Sequence, residues 1–165
     1  MKYLGRQPES IHPMEAFAEI CRKHGVKVTM QRRAIYQAVQ QEGDHPTVDA
    51  VFQRLHAEHP SISRDTVYRT LSLFERWKLL GSVQVGGDGL RYDLNTERHH
   101  HFVCDSCGAL FDFPWSEFDA LRLPAAVKHL GAASERQLQI RGTCKRCQSR
   151  PKNTRQSRAA PRFFP

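Results

Sequence analysis

Four cysteines, Cys104, Cys107, Cys144 and Cys147, fall in two pairs with the pattern C-x2-C-x36-C-x2-C. Two intervening residues let both sulfurs of a pair face one ion from a tight knuckle. Two knuckles supply the four thiolates of a closed tetrahedral zinc site. Closed coordination leaves no position for a substrate, so the zinc expected here is structural. Gly108 follows the first pair, where such a knuckle often needs a positive backbone φ. Two unrelated redox pairs, or free buried cysteines, are the simpler alternatives, but two equally spaced pairs rarely coincide by accident. The remaining cysteine, Cys21, shares helical spacing with Met14, Phe17 and Ile20 and reads as a small buried hydrophobe.

His99, His100 and His101 precede the first cysteine pair. Alternate residues of a strand share a face, so His99 and His101 can converge while His100 points away. A histidine triplet alone is more often a solvated polar segment. Here the chain offers further ligands in His45, Asp93 and Asp112, and a mixture of imidazole and carboxylate suits Fe(II) or Mn(II) as well as Zn(II). Nothing points to an enzyme. No Ser/His/Asp set accompanies these residues, and the run Gly86, Gly87, Asp88, Gly89 lacks the Lys-Ser/Thr that follows a phosphate loop.

Short amphipathic segments position these side chains. A helix is expected over 14–24, closed by Gly25. Thr29 caps a second, with Ala34, Ile35, Ala38 and Val39 facing inward, and Gly43 ends it. Thr47 starts a third, carrying Val48, Val51, Phe52 and Leu55, and Pro60 stops its continuation. Ser63 caps a fourth, running to about Trp77, with Val67, Thr70, Leu71 and Phe74 along its buried seam. Residues 82–85 and 90–94 then read as two strands of a hairpin around the glycine-rich turn. Helices followed directly by a hairpin spell a winged helix-turn-helix, whose last helix enters the DNA major groove.

After Asn95 the pattern changes to a small α/β unit. Short strands are expected at 99–103, 109–113 and 138–142, with a helix over 117–130 capped by Ser116. The expected organisation is a mixed α and β chain in three parts. Residues 1–95 form an arm and a winged-helix DNA-binding domain, 96–147 a zinc-containing dimerisation domain, and 148–165 a basic, disordered tail.

The net charge of +8 suggests nucleic acid, but its distribution tempers that reading. Residues 1–95 hold 13 Lys/Arg against 11 Asp/Glu, residues 96–147 hold 7 against 6, and the tail holds five basic side chains and no acidic one. No apolar run is long enough to span a membrane, and the first residues lack a signal-peptide core, so a cytoplasmic location is expected. In that reducing compartment cysteine pairs serve metals rather than disulfides.

Across 14–147 the chain resembles the ferric uptake regulator superfamily of bacterial metal-responsive repressors. The resemblance rests on Gly25 to Thr29 with Gln31 and Arg32, on His45-Pro46-Thr47, and on Thr66 to Leu71. It extends through Arg91-Tyr92-Asp93, the histidine-rich segment leading into Cys104, Cys107 and Gly108, and Gly142 to Cys147. It implies a homodimer on double-stranded operator DNA. It also implies a regulatory ion held between the domains by His45, Asp93, His99, His101 and Asp112, so that metal binding fixes the interdomain angle.

Aspartate at both positions 93 and 112 resembles the peroxide-sensing branch, in which Fe(II) or Mn(II) is bound. With iron, peroxide then oxidises ligand histidines, by position His45 and His99. An additional site of some iron and zinc sensors would fall on Arg98, His100 and Arg136 and is not expected, because charged arginine does not ligate metal. The resemblance makes the fourth helix the recognition helix, with Tyr68 and Arg69 at bases or nearby phosphates. Lys27 would reach phosphates or the minor groove, and Ser63 and Arg64 would favour phosphate at the helix N-terminus. The rivals are an iron-, zinc- or nickel-responsive repressor without peroxide sensing, a constitutive zinc-stabilised winged-helix protein, and a redox chaperone that releases zinc on oxidation.

Overall fold

Three hydroxyl side chains start the three helices on which the first half of the chain depends. Thr29 Oγ1 accepts from the backbone N–H of Arg32 (3.3 Å), Thr47 Oγ1 from that of Ala50 (3.1 Å) and Ser63 Oγ from that of Thr66 (3.2 Å). Each bond satisfies one of the N–H groups that a helix start leaves without an internal partner. The computed structural model describes residues 13–43, 45–86 and 89–149. Residues 1–12 of the arm expected over 1–13, the centre of the glycine-rich turn and residues 150–165 of the expected tail lie outside the described residues.

The chain divides into two units, at Arg98 and His99. In the first, α1 (Pro13–Lys23), α2 (Met30–Glu42), α3 (Val48–His56) and α4 (Arg64–Arg76) precede β1 (Gly81–Val85) and β2 (Gly89–Asp93). The periodic apolar residues meet in one core of Phe17, Cys21, Ile35, Val39, Val51, Leu55, Val67, Leu71, Phe74 and Tyr92. Phe17 stacks on Tyr36 at 4.8 Å and meets Phe74 edge-on at 5.5 Å, which ties α1, α2 and α4 together. Burying side chains of this size contributes about 1.5–3 kcal/mol each. β1 and β2 pair antiparallel, Gly81 opposite Asp93 and Val85 opposite Gly89, and close the winged helix-turn-helix.

The second unit is built on a three-stranded sheet in the order β4-β3-β5, from β3 (His100–Cys104), β4 (Leu110–Phe113) and β5 (Gln139–Gly142). β3 runs antiparallel to β4 and parallel to β5. Phe102 stands opposite Phe111 on one side and Ile140 on the other, so the three form a row across one face. Gly142 lies under the Phe102 ring, where an added Cβ would come within 3.3 Å of it.

The expected helix over 117–130 is two short ones, α5 (Ser116–Ala120) and α6 (Ala125–Leu130). Pro124 is the reason: it cannot donate into a helix, and its ring clashes with the carbonyl four residues earlier. Leu121 already sits at φ −60°, ψ 137°. Ser116 is also not the cap; Trp115 takes that position without a side-chain bond, and Ser116 Oγ donates to Glu117. A last turn, α7 (Lys145–Gln148), unanticipated in sequence, carries Cys147.

Candidate functional site

The two cysteine knuckles come together within the second unit. Cys104 ends β3, Cys107 follows it in a turn closed by the Gly108 N–H to Cys104 O bond (2.8 Å), and Gly108 takes φ 67°. Cys144 and Cys147 flank the start of α7, whose Cys147 N–H donates to Cys144 O (2.9 Å). One sulfur from each of the four lies within 4.8 Å of every other, and Cys107 and Cys144 are 3.9 Å apart. Sulfurs about 2.3 Å from a tetrahedral zinc would stand ~3.8 Å apart, so this donor set fits that ion.

The charges argue the same way. The backbone N–H of Cys144, 3.3 Å from Cys104 Sγ, pulls the Cys104 thiol down to about 6. Hydrogen bonds with the sulfurs of Cys107 and Cys144 push Cys147 up to about 12. Four thiols this close cannot all ionise until a cation joins them. Arg146 adds a positive charge at the rim, its guanidinium 3.8 Å from Cys107 Sγ. Nothing in the spacing of the cysteines announced that arginine.

In the first unit the structure brings His45 and Asp93 together. His45 Nε2 lies 3.4 Å from Asp93 Oδ2, and both side chains are buried. The backbone N–H of Tyr92 donates to Pro46 O (3.0 Å), pinning the segment after α2 to the strand that carries Asp93. His45 adopts φ 57°, the left-handed region, which costs a non-glycine residue of order 1–3 kcal/mol. Asp93 is oriented as well: Oδ1 accepts from the Asn95 N–H at 2.7 Å, leaving Oδ2 toward His45. Sequence reasoning missed Asn95, although an aspartate two residues before an amide it can cap is a local turn signal.

In the second unit His99, His101 and Asp112 converge. His99 precedes β3 rather than lying on it, yet its Nε2 is 2.9 Å from that of His101. Asp112 Oδ1 lies 3.5 Å from His101 Nε2 and 3.8 Å from His99 Nε2. Ligand atoms about 2.1 Å from one ion and adjacent around it stand ~3 Å apart, so imidazole pair and carboxylate fit a shared metal. His100 does point away, but into protein rather than water. It is fully buried, packs against Phe118 at 5.0 Å and Phe113 at 5.7 Å, and its Nδ1 accepts from the Leu138 N–H (3.3 Å). Arg136 donates to the Asp119 carbonyl (2.8 Å) and to that of Leu121, so it closes the end of α5.

The exposed face of α4 carries Arg64, Tyr68 and Arg69, with Ser63 at its cap. Tyr68 is half exposed. Both arginines are engaged within the unit. Arg64 forks onto Asp49 of α3 (Nε–Oδ1 2.5 Å, Nη2–Oδ2 3.1 Å), and Arg69 Nε meets Asp65 Oδ2 at 2.9 Å. Lys27 is exposed, and its carbonyl accepts from Arg32 (2.8 Å).

A model of the ferric uptake regulator family matches residues 23–140. The chain is 33% identical over 140 residues to the peroxide-responsive repressor PerR of Staphylococcus epidermidis, covering 84% of this chain and 93% of that one. It is similar to the structure of the Francisella tularensis ferric uptake regulator with iron, with TM-score 0.64 and 28% identity over 75% of this chain and 96% of that one. The Helicobacter pylori ferric uptake regulator shares the fold, with TM-score 0.68 and 22% identity over 84% of this chain and 93% of that one.

Proposed function

This chain belongs to the ferric uptake regulator family, and we propose that it is a dimeric, metal-dependent transcription repressor that responds to peroxide. In this reading Cys104, Cys107, Cys144 and Cys147 hold a structural Zn(II). His45 and Asp93 of the first unit join His99, His101 and Asp112 of the second around one Fe(II) or Mn(II). An ion that takes ligands from both units binds tightly only when they are correctly disposed, so it shifts the population toward the DNA-competent arrangement.

The observation that carries the peroxide reading is the pair of aspartates, Asp93 and Asp112, each set beside a ligand histidine at 3.4 Å or 3.5 Å. Fe(II) held by these residues would supply the electrons for reducing peroxide next to the imidazoles. By resemblance to the peroxide-sensing branch, His45 and His99 are the side chains expected to be oxidised. Loss of either imidazole as a ligand weakens the hold on the ion and thereby releases DNA.

α4 is the reading element, with Tyr68 and Arg69 toward bases and Ser63, Arg64 and Lys27 toward phosphates. The row Phe102, Phe111 and Ile140 supports dimerisation through the second unit, because Phe111 and Ile140 remain 47% and 38% exposed on an open sheet face. A DNA-bound repressor works in the cytoplasm, and no described helix is long and apolar enough to cross a membrane. Metal titration of the zinc-loaded chain tests the reading. One further Mn(II) per subunit should bind, and operator affinity should rise with it; operator binding indifferent to that ion would leave only a constitutive winged-helix protein.

A further inference from the structure

On the exposed face of α4, Arg64 and Arg69 each have a carboxylate partner. Arg64, the first residue of α4, is held in a two-pronged pair by Asp49 from the first turn of α3, and Arg69 by Asp65 one turn earlier on α4. The pairs are solvent-exposed, with side-chain accessibilities of 58% and 58% for the first and 78% and 67% for the second. Exposed pairs of this kind contribute little to folding, and their partners exchange readily for a competing ion. Hydrogen bonding to Arg64 holds the Asp49 carboxyl below the usual carboxylate range, so it is ionised wherever the protein works.

From these contacts we infer that Asp49 and Asp65 are specificity-determining residues, which occupy Arg64 and Arg69 until a matching DNA site displaces them. The inference rests on the reading of α4 as the DNA-contacting helix. A carboxylate and a phosphate oxygen offer a guanidinium the same kind of partner. On arbitrary DNA, an arginine that exchanges one for the other gains no new pair and leaves an aspartate facing a polyanion. It therefore stays with its aspartate and releases no counterion. At a matching site, a base edge for Arg69 and a phosphate held in correct register for Arg64 add what the carboxylates cannot match, and the arginines transfer. Non-specific affinity is thereby held down more than specific affinity. The nearly balanced charge of residues 1–95, 13 basic against 11 acidic, has the same consequence.

The test uses the full chain, loaded with zinc and Mn(II), with Asp49→Asn, Asp65→Asn and the double variant, and Asp49→Glu as the conservative control. Fluorescence anisotropy would follow binding to a mixed-sequence duplex, and to the duplex that the unaltered chain enriches from a random pool, over about 50–200 mM salt. On mixed-sequence DNA each Asn variant should bind about threefold to tenfold more tightly, with a log–log salt slope steeper by ~0.9 per freed arginine. The slope on the enriched duplex should stay as it is, so discrimination falls, and Asp49→Glu should restore the original behaviour. A mixed-sequence slope unchanged in variants that unfold at the same temperature as the parent would overturn the inference, leaving the aspartates as helix-start residues only. An unaltered chain that enriches no duplex would instead overturn the reading of α4 itself, and this inference with it.

Discussion

Asp112 stands directly opposite His101 across the β3–β4 ladder, and its Oδ1 lies 3.5 Å from His101 Nε2. Directly paired residues have Cβ atoms only about 4.5–5.5 Å apart, so a short carboxylate suffices to meet the imidazole. One added methylene would displace that oxygen by ~1.5 Å. Asp112→Glu should therefore keep metal-dependent DNA binding but slow oxidation of His99 and His45 by peroxide at least about tenfold. Peptide mass spectrometry for the gain of one oxygen checks this. An unchanged oxidation rate would separate the aspartates from peroxide sensing.

The zinc site should behave as a fold element and not as a switch. Cys107→Ser removes one of four sulfurs that lie within 4.8 Å of one another, and should reduce bound zinc from one per chain to nearly none. Unfolding of the second unit should shift to a markedly lower temperature, while the Phe17–Phe74 core of the first unit is unaffected. Metal analysis alongside circular dichroism melting would show it. A variant that keeps full thermal stability without zinc would count against a structural role.

Tyr68 has half of its surface in water on the exposed face of α4. Tyr68→Ala should lower affinity for the enriched duplex about tenfold or more, given about 1–3 kcal/mol per good base contact, with zinc content and melting unchanged. Phe74→Ala is the contrasting case. Phe74 is fully buried, and its loss should cost about 3–5 kcal/mol in denaturant unfolding, disabling DNA binding by way of the fold.

Phe111→Lys would place a charge beside Phe102 in the sheet-face row. Sedimentation should then show monomer at concentrations where the parent chain is a dimer, with the first unit still folded. A variant that remains dimeric would direct attention to a different face of the second unit.

Much of this site was legible in sequence because its chemistry depends on local spacing. The knuckles need two residues between cysteines, and His101 needs only strand alternation to part from His100. Thr29, Thr47 and Ser63 marked helix starts because a capping hydroxyl acts three residues away. What stayed hidden depends on chain segments that meet from afar. The His45–Asp93 approach was legible only through the family resemblance, because it needs the Tyr92–Pro46 bond to bring a loop to a strand. The Arg64–Asp49 fork joins two helices, and the burial of His100 comes from Phe113 and Phe118. The single helix expected over 117–130 fails at Pro124, a break that the Ser116 start signal does not reveal.

The most direct test of the central claim is operator binding by the zinc-loaded chain carrying either Fe(II) or Mn(II), before and after a brief exposure to peroxide. The account predicts that the Fe(II) form loses DNA while its His45 and His99 peptides gain oxygen, and that the Mn(II) form keeps DNA with those peptides unchanged. Retention of DNA by the Fe(II) form with both histidines unmodified would contradict it.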